Sequence, residues 1–194
     1  MLIFNVGDVG GFTLDCLYRS SLKHITIIDK NCFDTTNQNR QICTKRLNEP
    51  KVAVLAQMYP SITPMQEQID SVFLKRFNII AFGYIVDAID DIYGKVDITR
   101  TTLHKLLEKF IVSTGSAKKL NPLHIRLDNI WKTHGDKFAR KLLEYLKKAG
   151  IRRSFKAAFS PEVPKCKALW SCICCNNEFW TIALVSNHTK YKIY

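Results

Sequence analysis

Asn5-Val6-Gly7-Asp8-Val9-Gly10-Gly11 closes a short apolar run, Leu2-Ile3-Phe4-Asn5-Val6, that starts at the second residue. Such a β-prone run predicts a strand buried inside a parallel sheet. Gly7, Gly10 and Gly11 can take backbone angles closed to other residues, which lets main-chain N–H groups approach an anion where a helix begins. That helix is expected over residues 12–21. A second strand is predicted at His24-Ile25-Thr26-Ile27-Ile28-Asp29, ending in an acid 22 residues after Gly7. This is close to the separation that places a carboxylate on ribose hydroxyls. The segment reads as a βαβ half that holds a nucleotide by its phosphates, with ATP as the expected ligand. Glycine turns and strand-terminal acids also occur in α/β proteins without a ligand, so the following segments matter.

Asp34-Thr35-Thr36-Asn37-Gln38-Asn39-Arg40-Gln41 comes next, and Lys51 follows a turn at Asn48-Glu49-Pro50. Two cations therefore lie just downstream of the ribose acid. Residues 79–86 form a further apolar stretch, predicted as a strand, that runs into Asp87-Ala88-Ile89-Asp90-Asp91.

These residues resemble the ThiF/MoeB superfamily of ubiquitin-activating-enzyme-like, ATP-dependent adenylyltransferases, and within it the TcdA branch of tRNA threonylcarbamoyladenosine dehydratases. The resemblance runs from residue 1 to about residue 163. It rests on the glycine loop, Tyr18-Arg19-Ser20, Ile27-Ile28-Asp29, Thr36-Asn37-Gln38-Asn39-Arg40-Gln41, Lys51, Val86-Asp87-Ala88-Ile89-Asp90, Lys95, Ser113-Thr114-Gly115 and Phe159-Ser160-Pro161-Glu162. Order and spacing carry the specificity, since several of these pieces are individually common.

The resemblance implies a three-layer, Rossmann-like α/β domain with a mostly parallel central sheet. It implies that Gly7, Gly10, Gly11, Asp29, Asn39, Arg40 and Lys51 form the ATP site, with Asp29 on the ribose. Arg40 and Lys51 would contact the triphosphate and Asp90 would hold Mg²⁺, these three being the expected catalytic set. Adenylation puts negative charge on the α-phosphate and on departing pyrophosphate, which fixed cations and a metal stabilise without reorganising. A carboxylate suits a hard, oxygen-liganded ion. Helix capping is the competing role for Asp87, Asp90 and Asp91. In the TcdA branch the implied reaction is ATP-driven activation of the threonylcarbamoyl carboxylate of a modified tRNA adenosine, followed by cyclisation that expels AMP. The implied assembly is a homodimer.

A tRNA substrate predicts a basic surface, and the 194-residue chain carries a formal net charge of +12. Cations concentrate at Lys132, Lys137, Arg140, Lys141, Lys147, Lys148, Arg152, Arg153 and Lys156, opposed by Asp136 and Glu144. Phe138, Leu142, Leu146 and Ala149 recur at helical spacing, so an amphipathic helix ending near Gly150 is expected. A solvated helix face is the ordinary reading of such a pattern. Alignment with the basic stretch of the dehydratases makes the first eight of these cations expected tRNA contacts, through attraction that weakens with salt.

A hydrophobic content of 46% and the chain length suffice for one α/β domain with a real core. The sequence shows no apolar stretch of membrane-spanning length and no secretory pattern at Met1 to Val6, so the cytoplasm is expected. Cys16, Cys32, Cys43 and Cys166 read as reduced thiols, mostly small core residues.

Three departures from the family pattern stand out. Asn5 and Asp8 occupy glycine positions of the usual G-x-G-G-V-G loop, and a carboxylate at position 8 is expected to repel a triphosphate and obstruct backbone approach. The family ordinarily has helices ahead of its first strand, bearing an arginine that reaches the partner's ATP, whereas this chain starts on the strand. Resemblance also stops abruptly at Leu169-Trp170-Ser171-Cys172-Ile173-Cys174-Cys175. The C-x-C-C spacing lacks the paired C-x-x-C of a structural zinc site. A change of reading frame near Leu169 accounts for that break, because one base forward Trp codons give glycine, Cys codons give valine, and the segment reads G-L-V-S-V-V-T-T-S-F-G-L. Residues 169–194 are then a tail with no selected structure.

Three rival functions stay open on sequence. A sulfur-carrier activator would adenylate the C-terminal glycine of a ubiquitin-like protein, but it would not need the basic segment. A decayed, non-catalytic nucleotide- or RNA-binding module fits Asp8. A nicotinamide-dependent oxidoreductase fits the glycine turn and Asp29 alone.

Overall fold

The computed structural model describes residues 1–103, 107–115, 119 and 121–163. The strands β1 (Leu2–Phe4), β2 (Thr26–Ile28), β3 (Thr63–Met65), β4 (Ile85–Asp87), β5 (Phe110–Ser113), β6 (Arg126–Asn129) and β7 (Lys156–Phe159) form one sheet in the order β3-β2-β1-β4-β5-β7-β6. Every pairing is parallel except β6 with β7. The expected mostly parallel sheet is present, with its one antiparallel strand at an edge.

Successive side chains of a strand point to opposite faces, and β1 shows the consequence. Leu2 and Phe4 join a core with α3 (Ser71–Arg76), α4 (Ile92–Thr102) and α5 (Lys137–Lys148), through Phe73, Leu74, Val96, Ile98, Leu142 and Leu146. Ile3 instead joins Leu14 and Leu17 of α1 (Asp8–Arg19) and Val52 and Leu55 of α2 (Lys51–Met58) on the other face. Burial on both faces makes the strand apolar throughout, and it makes the fold three-layered.

Two elements differ from expectation. Helix α1 starts at Asp8 rather than near residue 12, so Gly10 and Gly11 lie inside its first turns and are buried. A Cβ on Gly10 would sit 1.9 Å from the Asn5 carbonyl oxygen, which identifies the demand there as close packing of helix on strand end. The apolar stretch at 79–86 is not one strand. Ile79–Ala81 is a 3₁₀ turn, Phe82 stacks on Phe77 at 5.6 Å, and the strand is Ile85–Asp87. Apolarity alone does not separate a short strand from a packed turn.

Helix α5 follows its predicted pattern. The Asp136 carboxylate accepts from the amides of Phe138 and Ala139 at its start, and Gly150, at φ +73°, ends it. The cysteines are a correction: Cys16 and Cys43 are half-buried and Cys32 is exposed, so none of these three is a core residue. Cys32 lies in a loop bordering the cavity described next. Cys166 and the segment following Leu169, with its reading-frame change, lie outside the described residues. No helix among the described residues is long and apolar enough to cross a membrane.

Candidate functional site

Strand order reverses around β1, because β2 and β3 lie to one side and β4 and β5 to the other. In open α/β sheets the crevice at the carboxyl ends of such strands is the usual ligand position. Here it is a cavity of about 520 Å³, lined by Asn5, Gly7 and Asp8 after β1, Asn31 after β2, Ala88 to Asp90 after β4, and Ser113 to Gly115 after β5. Arg40, Gln41, Lys51 and Phe138 also line it, together with Val9, Cys32, Asp34 and Asn37.

The turn after β1 is satisfied from within. Asn5 has φ +66°, a left-handed conformation that asparagine tolerates better than most non-glycine residues. Its Oδ1 accepts from the Gly7 amide at 2.6 Å. One step on, Asp8 Oδ2 accepts from Arg40 Nε at 2.8 Å and Asp8 Oδ1 from Gln41 Nε2 at 2.6 Å. Arg40 also donates to the carbonyls of Thr36 and of the Asn39 side chain. Gln41 Oε1 is buried without a hydrogen-bond partner.

Lys51 begins α2, its amide donating to Asn31 O at 3.0 Å. The residue is only 5% exposed, it lines the cavity, and its ammonium makes no hydrogen bond or ion pair among the described residues. A nearly buried cation beside a polar cavity is costly unless an anion can reach it. Asp29 lies beneath the cavity rather than on its wall. Its Oδ2 accepts from Val6 N at 3.0 Å and its Oδ1 from Asn31 N at 2.8 Å, so it ties the ends of β1 and β2 together. Asn39, Gly10 and Gly11 are likewise not among the lining residues, and Asn39 serves through its contact with Arg40.

After β4 the three acids take different roles. Asp91 caps α4, accepting from Gly94 N at 2.6 Å. Asp87 and Lys95 form an ion pair of 2.9 Å with both side chains essentially sealed from water. Burial pushes the Asp87 carboxyl up and the Lys95 ammonium down, each against the opposing pull of the other's charge. Asp87 also accepts from Ile89 N at 3.0 Å, so the pair pins the turn that presents Asp90 to the cavity. Asp90 is exposed and makes no hydrogen bond or ion pair among the described residues. The capping alternative therefore belongs to Asp91 and leaves Asp90 available.

A ThiF family domain matches residues 1–120, more than half of the chain. The chain belongs to the ThiF family. Among curated relatives it is 31% identical over 170 residues to the tRNA threonylcarbamoyladenosine dehydratase of Bacillus subtilis, covering 84% of this chain and 66% of that protein. It is 28% identical over 154 residues to the Escherichia coli enzyme of the same name, covering 75% of this chain and 57% of that protein. The chain thus spans just under two thirds of the length of the first relative and less of the others. Crystal structures of E. coli TcdA with AMP and with ATP superpose with TM-scores of 0.85 and 0.82 at 22% identity, covering 97% of this chain and 83% of theirs. That likeness bears out the Rossmann-like fold.

Within this ThiF domain the two residues standing at loop glycines behave as built-in ligands. Asn5 occupies the Gly7 amide, and Asp8 engages the arginine expected to hold phosphate. A further network, not singled out from the sequence, lies at the ends of β5 and β7. Asp136 Oδ2 accepts from Thr114 Oγ1 at 2.7 Å and from Lys119 Nζ at 3.1 Å, and Lys119 also donates to Ser160 O at 2.6 Å. It fixes the Ser113-Thr114-Gly115 wall against α5. Its sequence signal was only the paired Ser113-Thr114-Gly115 and Phe159-Ser160-Pro161-Glu162 motifs, which say nothing of who pairs with whom.

All eight cations expected to meet tRNA are exposed. They do not form one patch. Lys137, Arg140 and Lys141 lie in the part of α5 near Phe138 and the cavity, while Lys147 and Lys148 lie about 10 Å beyond Lys141 along its axis. Arg152 and Arg153 follow toward the start of β7, the end of the sheet opposite the cavity, and Arg153 donates to Leu103 O at 2.8 Å. Lys132 pairs loosely with Asp128 at 3.7 Å.

Proposed function

We propose that the chain is an ATP-dependent tRNA threonylcarbamoyladenosine dehydratase, acting in the cytoplasm as a homodimer. The observation that carries this reading is Lys51, a residue only 5% exposed that lines a cavity together with Arg40 and Asp90. In the proposed reaction the substrate carboxylate attacks the α-phosphorus of ATP and pyrophosphate leaves. A heteroatom of the carbamoyl group then attacks the activated carbonyl carbon, loses its proton and expels AMP. The sum is one water removed from the nucleoside, with its oxygen leaving on AMP.

Lys51 and Arg40 would stabilise charge on the triphosphate, and Asp29 would orient the ribose through the β1 and β2 loop ends that it ties. Mg²⁺ commonly binds one or two carboxylates plus substrate phosphates. Asp90 fits that use as an exposed carboxylate on the cavity wall. Bound there, the ion would neutralise phosphate charge. Asp8 on Arg40 supports a second reading, a nucleotide- and RNA-binding module without turnover.

The test is incubation of the full chain with ATP, Mg²⁺ and an anticodon stem-loop carrying threonylcarbamoyladenosine. Stoichiometric AMP and loss of one water from the nucleoside by mass spectrometry are expected. ATP and RNA binding with no AMP would establish the module instead. Pyrophosphate exchange into ATP that requires a ubiquitin-like carrier rather than RNA would establish the sulfur-carrier reading.

A further inference from the structure

An aromatic and cationic stripe leaves the cavity along α5. Phe138 lines the cavity, and Lys141, Tyr145 and Lys148 follow it at intervals of three, four and three residues, which keeps them on one side of the helix. Tyr145 meets Tyr93 of α4 edge-on, with ring centroids 5.3 Å apart, planes at 88° and hydroxyls 3.4 Å from each other. Lys148 Nζ stands 5.4 Å from the Tyr145 ring centre, and the charge of Lys141 acts on the Tyr93 hydroxyl. Tyr93 comes three residues after Asp90 and Tyr145 seven after Phe138, two residues that line the cavity.

Sealing α4 against α5 accounts for Tyr145, which is half-buried. It does not account for Tyr93, which is 65% exposed. Of the nearby acids, Asp91 caps α4 at 2.6 Å and Asp97 pairs with Arg100 at 3.3 Å, whereas Asp90 and Glu144 are exposed. An open aromatic ring beside a helix that carries lysines suits a single RNA strand, whose splayed bases stack on aromatic side chains while its phosphates meet the cations.

We propose that Tyr93 is a nucleobase-stacking platform for the nucleotide next to the one entering the cavity, with Lys141 and Lys148 holding the adjoining phosphates. This inference rests on the tRNA reading and adds to it a defined path for the strand. Tyr145 sets the angle of the Tyr93 ring. Stacking is tolerant of sequence, so the platform holds the strand without selecting the neighbouring base.

Fluorescence anisotropy of the full chain with a labelled anticodon stem-loop tests it. Tyr93→Ala should weaken RNA binding about fivefold or more, while binding of heparin, a polyanion without bases, stays unchanged. Tyr93→Phe should bind RNA like the parent, because the ring is kept. Lys141→Ala should reduce the slope of log affinity against log salt by about one. An abasic nucleotide beside the modified adenosine should weaken the parent chain by the Tyr93→Ala factor and leave Tyr93→Ala no weaker, a comparison in which the parent protein is unaltered. Equal RNA affinity of Tyr93→Ala and parent, or equal losses on RNA and heparin, overturns the platform alone. If the parent chain does not bind the stem-loop at all, the tRNA reading itself fails.

Discussion

Lys95→Met is expected to destabilise the protein by about 3–5 kcal/mol, because it strands the carboxylate of Asp87 in a sealed interior. Urea unfolding at neutral pH measures it. The parent pair is 2.9 Å apart with side chains 1% and 0% exposed, and Asp87 Oδ2 already lacks a hydrogen-bond partner. Without Lys95 nothing offsets the burial that pushes the Asp87 carboxyl up. A raised folded pKa means that the folded state holds its proton more tightly than the unfolded chain. The variant is therefore most stable below the ordinary aspartate value of 3.8 and loses stability as pH rises through the raised folded value. Its deficit relative to the parent should accordingly widen from acid to alkaline pH. Adding Asp87→Asn removes the buried charge while keeping an acceptor for the Ile89 amide, and should recover most of the loss. A deficit that does not change with pH, or that the second substitution leaves intact, would assign the effect to packing of the Lys95 chain instead.

Asp8→Gly is expected to tighten ATP binding about tenfold. A hydrogen bond to a charged group is worth about 1.5–3 kcal/mol, and the partial exposure of both side chains reduces what is recovered when the pair is broken. The carboxylate holds Arg40 and Gln41 at 2.8 and 2.6 Å, so a phosphate must displace it before either side chain can turn inward. Its own charge adds repulsion. Isothermal titration with ATP measures the gain, and Asn5→Gly in the same chain should add to it by freeing the Gly7 amide. Unchanged affinity in Asp8→Gly would mean that Arg40 takes no part in holding the nucleotide.

To the repulsion expected from Asp8 on sequence, the structure adds a pairing that sequence did not show. Sequence placed a carboxylate where a triphosphate should lie. The folded chain shows that carboxylate already paired with the arginine 32 positions later. A sequence motif records residue types at intervals, whereas the partner of a side chain depends on loop geometry between them. The same limit explains Gly10 and Gly11. Their glycine character was legible, yet its reason, the 1.9 Å approach of a would-be Cβ to the Asn5 carbonyl, needs the helix axis in place.

Much of the architecture was nonetheless legible, since burial on both faces of β1 leaves a run with no polar interruption and α5 repeats its apolar residues at helical spacing. The separate roles of Asp87 and Asp91 were not, because ion pairing and capping call for the same side chain.

By itself, the sequence determined the first βαβ unit and the basic, amphipathic character of the last described helix, which follow from local periodicity and composition, while the family followed from its resemblance to known sequences. Only the tertiary structure decided that Asp87 pairs with Lys95 while Asp91 caps α4, that Asp8 closes on Arg40, and that the cations spread along α5 and beyond it. Those outcomes depend on contacts between residues far apart in the chain, and such contacts are fixed by the packing of the two helical layers on the sheet.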